Sequence, residues 1–243
     1  MRGLKHVLLG LMLGSLCINC ELTKQILSGK ENISSAETVG EDSFIDKRDG
    51  EIYKKVKIGN QVWMAENLRY DVPDLCTSWP RAVDSLITTN SCVNYGRLYD
   101  WTTMMAGASS SESNPSGVQG ICPLGWHIPS DSEWKELEME LGMSPSDTNG
   151  AAWRGSDQGV QLKSTSDWFD NSLNSNSSGF NALPAGNCNN GSFYPPGDIA
   201  DFWSSTAHSN SLAWSRRLYS SYEKVSRGAN DKINGFSCRC VKD

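Results

Sequence analysis

The strongest constraint on this chain's fold lies in Gly120-Ile121-Cys122-Pro123-Leu124-Gly125-Trp126-His127-Ile128-Pro129-Ser130-Asp131-Ser132-Glu133-Trp134. Pro129 keeps Ile128 out of the helical region, so any helix must begin after it. Ser130 and Glu133 then fit a capping box, and Asp131 suits the positive end of the helix that follows. Trp134, Leu137 and Leu141 fall at i, i+3 and i+7, one apolar stripe with Glu136 and Glu140 outside it, and Gly142 ends the run. A helix starts here with its tryptophan turned inward.

Other elements are placed around that helix. Ile52, Val56 and Ile58 share one parity, Gly59-Asn60 marks a turn, and Gln61-Val62-Trp63-Met64 resumes an extended pattern, which together read as a β-hairpin. A loop with Pro73, Cys76, Pro80 and Cys92 follows; a Cys76–Cys92 bond would close it and stabilise the fold by about 3 kcal/mol. Asp100 to Ala106 has helical spacing and stops at Gly107. Later, Phe180-Asn181-Ala182-Leu183-Pro184-Ala185-Gly186, Ala200–Thr206 and Leu212–Tyr219 read as strands. In the last strand Phe236, Cys238 and Cys240 share one face, with Ser237, Arg239 and Val241 on the other.

Compartment is read from the first residues and from the cysteines. Arg2 and Lys5 precede an apolar run from Val7 to Leu16, the layout of an export signal over 1–20, and the run is too short for a comfortable membrane span. Leu16-Cys17-Ile18-Asn19-Cys20 looks like a bacterial lipoprotein box with Cys20 as the lipidated residue. Asn19 departs from the small residue usual there, and an ordinary cleaved signal is the alternative. Residues 21–48 are polar and carry one ring, Phe44, so they read as a flexible tether ahead of a single domain over 49–243. Removing Cys17 and Cys20 leaves Cys76, Cys92, Cys122, Cys188, Cys238 and Cys240, an even set that reads as a disulfide framework in an exported chain. Cys238 and Cys240 are two apart on one strand face, so each needs a partner elsewhere. The formal charge of −6 argues against nucleic acid and against electrostatic docking on anionic lipid.

Several segments together resemble the Fibrobacter succinogenes major paralogous domain, a bacterial surface-protein family. They are Gln61–Leu68, Tyr95-Gly96-Arg97-Leu98-Tyr99-Asp100-Trp101, Gly120–Ser130, Gly179–Gly186, Phe202-Trp203-Ser204-Ser205-Thr206 and Gly235–Val241. The family has no established activity, so the resemblance implies location and fold more than function. Trp126–Trp134 and the closing Gly-Phe-x-x-Arg-Cys are more distantly similar to sulfatase-modifying-factor domains. That likeness implies a C-type-lectin-like α+β fold, disulfide-stabilised, with two or so helices against short twisted antiparallel sheets and the first and last strands side by side. It also implies a bond from the last strand to the helix region, Cys122–Cys240. Cys188 and the cysteine at position 238 depart from the family pattern, and a single additional bond, Cys188–Cys238, is the simplest reading of that departure.

The resulting expectation is an exported, lipid-anchored cell-surface protein, at the outer membrane, with a non-catalytic binding or adhesion domain. Its partner would be a polysaccharide or another envelope or extracellular component, and membrane contact would be through the lipid anchor only. Trp203, Trp214, Tyr194 and Asn187 are the candidate ligand-binding residues, since rings stack on sugar faces and amides bond hydroxyls; for Trp203 and Trp214 a place in the core is the competing reading. No cofactor is expected; Asp147, Asp157, Asp167 and Asp170 are the candidate Ca²⁺ ligands, although acidic loop residues are usually only solvated. Two alternatives stand beside this: a structural surface component with no small-molecule ligand, and a thiol- and metal-dependent oxygenase using Cys238 and Cys240, since thiolates suit Cu(I). His127 reads as a helix-entry hydrogen-bonding residue, and no nucleophile elbow, phosphate loop or paired CxxC motif is present.

Overall fold

The computed structural model describes residues 40–72, 78–79 and 94–243. The proposed signal, Cys20, most of the tether and the Cys76–Cys92 bond lie outside the described residues.

The fold is mixed, mainly antiparallel β-structure with a few short helices. Five strands run in the order β1 (Ser43–Ile45), β2 (Ile52–Ile58), β3 (Gln61–Met64), β14 (Val241–Lys242) and β6 (Trp126–His127). Seven run in the order β4 (Ser78–Trp79), β5 (Leu98–Tyr99), β13 (Phe236–Ser237), β10 (Ile199–Ala207), β11 (Leu212–Tyr219), β12 (Val225–Asp231) and β7 (Ala152–Arg154). A separate hairpin joins β8 (Asn187–Asn189) to β9 (Ser192–Tyr194). Helices α1 (Trp101–Met105), α2 (Asp131–Glu140), α3 (Pro145–Thr148) and α4 (Gln158–Leu162) lie between strands in the chain.

The two expected helices are present with their expected ends. Ser130 Oγ accepts from the Glu133 amide and Glu133 Oε2 accepts from the Ser130 amide, so the capping box is complete. Asp100 caps α1 by accepting from the Thr103 amide. Helix α2 turns Trp134 and Leu137 into an apolar cluster with Trp63, Phe180, Phe202 and Leu218. It also turns two carboxylates onto the seven-stranded sheet. Glu138 takes Arg216 Nε at 2.6 Å and Arg154 at 2.5 Å, while Asp131 takes Arg216 at 2.7 Å and Arg227 at 2.8 Å. Burial alone would raise the Asp131 carboxyl, but the hydrogen bonds and charge of Arg227 and Arg216 hold it well below the usual carboxylate range.

The sheet begins earlier than the composition suggested. β1 pairs with β2 from Ser43, within the segment read as tether. Phe44, the single ring of that segment, stacks on Trp126 at 4.3 Å and on Tyr53 at 5.6 Å. Asp46 is buried and clamps Arg48, which reaches the Ile121 carbonyl at 2.8 Å. One aromatic residue with two ring partners orders a stretch whose average polarity hides it. The expected strand over Phe180–Gly186 is absent; isolated bridges at Ala182 and Gly186 take its place.

The last segment joins the two large sheets. β13 lies between β5 and β10, β14 lies between β3 and β6, and Cys238–Cys240 is the crossing between them. Alternation divides its side chains: Cys238 and Cys240 enter one core cluster with Met64, Trp203 and Phe236, and Val241 enters the other. Arg239 lies on the second side, fully buried, with its guanidinium 4.4 Å from the Phe180 ring centre. It donates to Asn67 Oδ1 at 2.6 Å, the Met64 carbonyl at 3.1 Å, the Asn181 carbonyl at 2.8 Å and the Phe180 carbonyl. Among the described residues no carboxylate pairs with it, and burial pulls its pKa down to about 9. Arg239→Met leaves those acceptors unsatisfied in the core, and urea unfolding should show a loss of about 3 kcal/mol. A change within about 0.5 kcal/mol would show that the cage contributes nothing.

Candidate functional site

The face that gathers exposed rings with fixed polar groups is built from β8, β9, β10 and β11 and the turn after β11. Its hairpin follows from Asn190-Gly191, both in the left-handed region (φ 48° and 77°), the signature of a tight two-residue turn. Gly186 precedes β8 at φ +73°, and a Cβ there would come within 2.0 Å of the Tyr194 carbonyl, so only glycine lets the hairpin close against itself. Pairing then sets Asn187 opposite Tyr194, and Asp201 of β10 opposite Arg217 of β11.

Arg217 meets Asp201 through two parallel bonds, Nε to Oδ1 at 2.8 Å and the terminal nitrogen to Oδ2 at 2.9 Å. Asn187 Nδ2 donates to Asp201 Oδ2 at 2.5 Å. The carboxylate fixes the amide's orientation, because a flipped amide would set two oxygens against each other. Asn187 Oδ1 is buried and meets no donor among the described residues. Burial alone would lower the Arg217 pKa, but the Asp201 charge and hydrogen bonds raise it, so the guanidinium is held charged and rigid. Asp201 and Asn187 are buried beneath it, while Arg217 is half-buried and Tyr194 is 49% exposed.

Tyr219 lies two residues beyond Arg217 on the same strand face. Its ring meets Tyr222 edge-on at 5.7 Å, and Tyr222, 46% exposed, stacks on Trp153 at 4.4 Å. The turn carrying these rings is held from below by Lys163, whose Nζ donates to the carbonyls of Tyr219, Ser220 and Tyr222 at 3.0–3.1 Å. Burial lowers the Lys163 pKa. Leu173 and Tyr222 flank a shallow cleft above Lys163 and Asp170. Phe169, 76% exposed, covers Gly197 just before β10. Tyr219, Tyr222 and Trp153 thus form an aromatic band of successive ring contacts beside the Arg217–Asp201 pair.

The sequence-derived candidates divide sharply. Tyr194 is on this face and exposed; Asn187 is beneath it and positions Asp201. Trp203 is a core residue, fully buried, stacked on Phe236 at 4.3 Å and donating to the Tyr99 carbonyl at 2.9 Å. It shares a strand face with Asp201 but is covered by those neighbours. Trp214 is on the opposite face of β11, half-buried, with the Arg227 guanidinium 3.4 Å from its ring centre and His208 at its edge. Arg217, Tyr219, Tyr222, Trp153 and Lys163 were not picked out from sequence. The period-2 pattern of Leu212–Tyr219 and the Asn190-Gly191 turn were the available signals.

Asp157, Asp167 and Asp170 each accept from a neighbouring serine hydroxyl, of Ser156, Ser166 and Ser172. Among the described residues, none of these, nor Asp147, belongs to a group of three potential metal ligands. Among the described residues that arrangement occurs at Cys122, Cys238 and Cys240, whose sulfurs lie within 4.8 Å of one another. Cys122 and Cys240 are bonded, with Cα atoms 6.0 Å apart. The Cys188–Cys238 bond expected from sequence is not formed, and both thiols are free and buried. Cys188 pairs by backbone with Gly235 on the hairpin side, and its sulfur takes the Gly191 amide. Cys238 points instead into the core beside Cys122 and Cys240.

His127 has a structural part in this architecture. Nε2 lies 2.7 Å from Glu133 Oε1 and Nδ1 lies 2.7 Å from Asp243 Oδ1, which joins the helix cap to the end of the last strand. Burial would lower its pKa, but the bonds and charge of Glu133 and Asp243 raise it above 6.5. A folded-state pKa above the unfolded one adds stability that is complete below about pH 6.5 and is lost as pH rises through the folded value. Unfolding scans should therefore show stability falling from the acid side of neutrality upward. His127→Gln should flatten that slope; an unchanged slope would mean that the imidazole is not charged between its two carboxylates.

Residues 56–242 match the model of the Fibrobacter succinogenes major domain. No curated protein and no solved structure matches the chain.

Proposed function

The chain belongs to the Fibrobacter succinogenes major domain family, and on that footing we propose that it is an exported, lipid-anchored surface protein whose folded part is a non-catalytic binding domain. We read the fold as C-type-lectin-like, on the support of β14 pairing beside β3 and of the Cys122–Cys240 bond. Cys20 would carry the lipid at the outer membrane, and residues preceding β1 would hold the domain off the surface.

The ligand class we propose is glycan, a cell-envelope or extracellular polysaccharide. The observation that carries this is the row Tyr194, Arg217, Tyr219 and Tyr222. Tyr194 and Tyr222 are exposed rings, Tyr219 is half-buried edge-on to Tyr222, and one guanidinium is locked flat by a bidentate carboxylate. A pyranose has the matching chemistry, with axial C–H faces that lie on rings and equatorial hydroxyls that accept from a preorganised donor. A ring-bearing turn whose backbone is held by Lys163 and a guanidinium fixed by Asp201 lose little freedom on binding.

Cys20→Ser should release the protein from the membrane fraction and yield the soluble form for a screen of envelope and plant-wall polysaccharides. Tyr194→Ala or Tyr222→Ala should weaken the selected glycan about tenfold, the equivalent of about 1.4 kcal/mol, in calorimetry. Trp203→Phe should lower stability and leave affinity unchanged. Silence across the screen would favour a structural surface component, and equal affinity in the tyrosine variants would place the site elsewhere.

A further inference from the structure

The aromatic band does not use the sulfur cluster at the sheet crossing, where a free thiol lies against a disulfide. Cys238, Cys122 and Cys240 place their sulfurs within 4.8 Å of one another in a buried pocket of the core. Cys122 is supplied by the loop before β6, whereas Cys238 and Cys240 come from the crossing itself. A bond between Cys238 and Cys240 would be strained, since side chains two apart on an extended segment run parallel. Cys122 is therefore the sulfur that either partner can take.

We propose that Cys122 is shared between two disulfides, and that the Cys238 thiol exchanges with Cys122–Cys240 to give a second, Cys122–Cys238-bonded form of the same fold. The Cys238 thiol loses its proton and the thiolate attacks Cys122 Sγ. The Cys122–Cys240 bond breaks with its electron pair on Cys240 Sγ, which takes up the proton. One disulfide and one thiol are present before and after, so no external oxidant or reductant is consumed.

The backbone around the cluster is pinned in a way that suits exchange by side-chain rotation alone. The Leu68 amide donates to the Cys238 carbonyl and the Met64 amide to the Cys240 carbonyl, both at 3.0 Å, and Arg239 between them is caged on the other side. The proposed exchange keeps that register in both bonded forms. Both tie the loop before β6 to the crossing, so the anchorage of the last strand survives the exchange. Burial pushes the Cys238 thiol up to about 12, so its thiolate is scarce at neutral pH and the exchange is slow there.

Two measurements on the full chain test this. In Cys240→Ala, prepared under oxidising conditions and alkylated in acid, peptide mapping without reduction should find Cys122 joined to Cys238. Free, alkylated Cys122 and Cys238 in the folded variant would overturn the proposal. If that variant fails to fold, the native protein held at pH 9 and then acid-quenched and labelled should carry maleimide on Cys240 as well as Cys238. Label should reach Cys240 about a hundredfold faster than at pH 7, because thiolate rises tenfold per pH unit below the pKa. Label that stays on Cys238 alone, with Cys188 labelled equally in both samples as the reference, would overturn the proposal.

Discussion

A guanidinium that no carboxylate pairs among the described residues sits where the chain passes from one sheet to the other, and the arrangement of both cores follows from it. Arg239 is held by four oxygen acceptors and two phenylalanine rings, with Phe202 5.6 Å away. A pKa near 9 still leaves it charged at neutral pH, so the carbonyls of Met64, Phe180 and Asn181 are drawn inward to a cation rather than left unpaired in an apolar interior. This fixes three segments at once: the end of β3, the start of the Phe180–Gly186 run, and the crossing. With Arg239 on one side, alternation places Cys238 and Cys240 on the other, where one of them bonds Cys122. Removing the charge would free the run leading into β8 as well, and with it the support of the hairpin that carries Tyr194.

Local rules made much of the scaffold legible. The capping box at Ser130, the stripe Trp134-Leu137 and the Gly59-Asn60 hairpin depend on neighbours a few residues away, and they appear as read. β12 was missed because Val225–Asp231 looks polar; its Arg227 turns inward to Asp131, a partner 96 positions distant that no local pattern reveals. Phe180–Gly186 reads as a strand by composition, yet its carbonyls at Phe180 and Asn181 serve Arg239 and leave no regular ladder. The start of the sheet was missed, like β12, because its segment is polar on average; one residue, Phe44, offsets that polarity by stacking on Trp126 and Tyr53.

The candidate site shows the same division. Of the four residues singled out by sequence, Tyr194 and Asn187 share the face of Arg217, Trp203 is buried in the core, and Trp214 lies on the opposite face of β11 against Arg227. A tryptophan's chemistry is identical in a core and on a surface; what separates the two is whether Phe236 and Tyr99 cover it. The buried part of the site depends on register, which pairs Asp201 with Arg217 across two strands. Rings that reach solvent here do so because the residues under them, Lys163, Asp201 and Asn187, spend their polar groups on holding the backbone and Arg217 in place. Such a surface is rigid before any ligand arrives, which distinguishes it from the acidic loops, where Asp157, Asp167 and Asp170 accept from the hydroxyls of serines one or two residues away.

Hydroxyl-radical footprinting with and without cello-oligosaccharides, xylo-oligosaccharides or peptidoglycan fragments reads that surface directly. Glycan binding at this face predicts protection of Tyr194, Tyr219, Tyr222 and Trp153 by at least one of these probes, with Trp214 unaffected. Protection of Trp214 while those four rings stay equally reactive would contradict it.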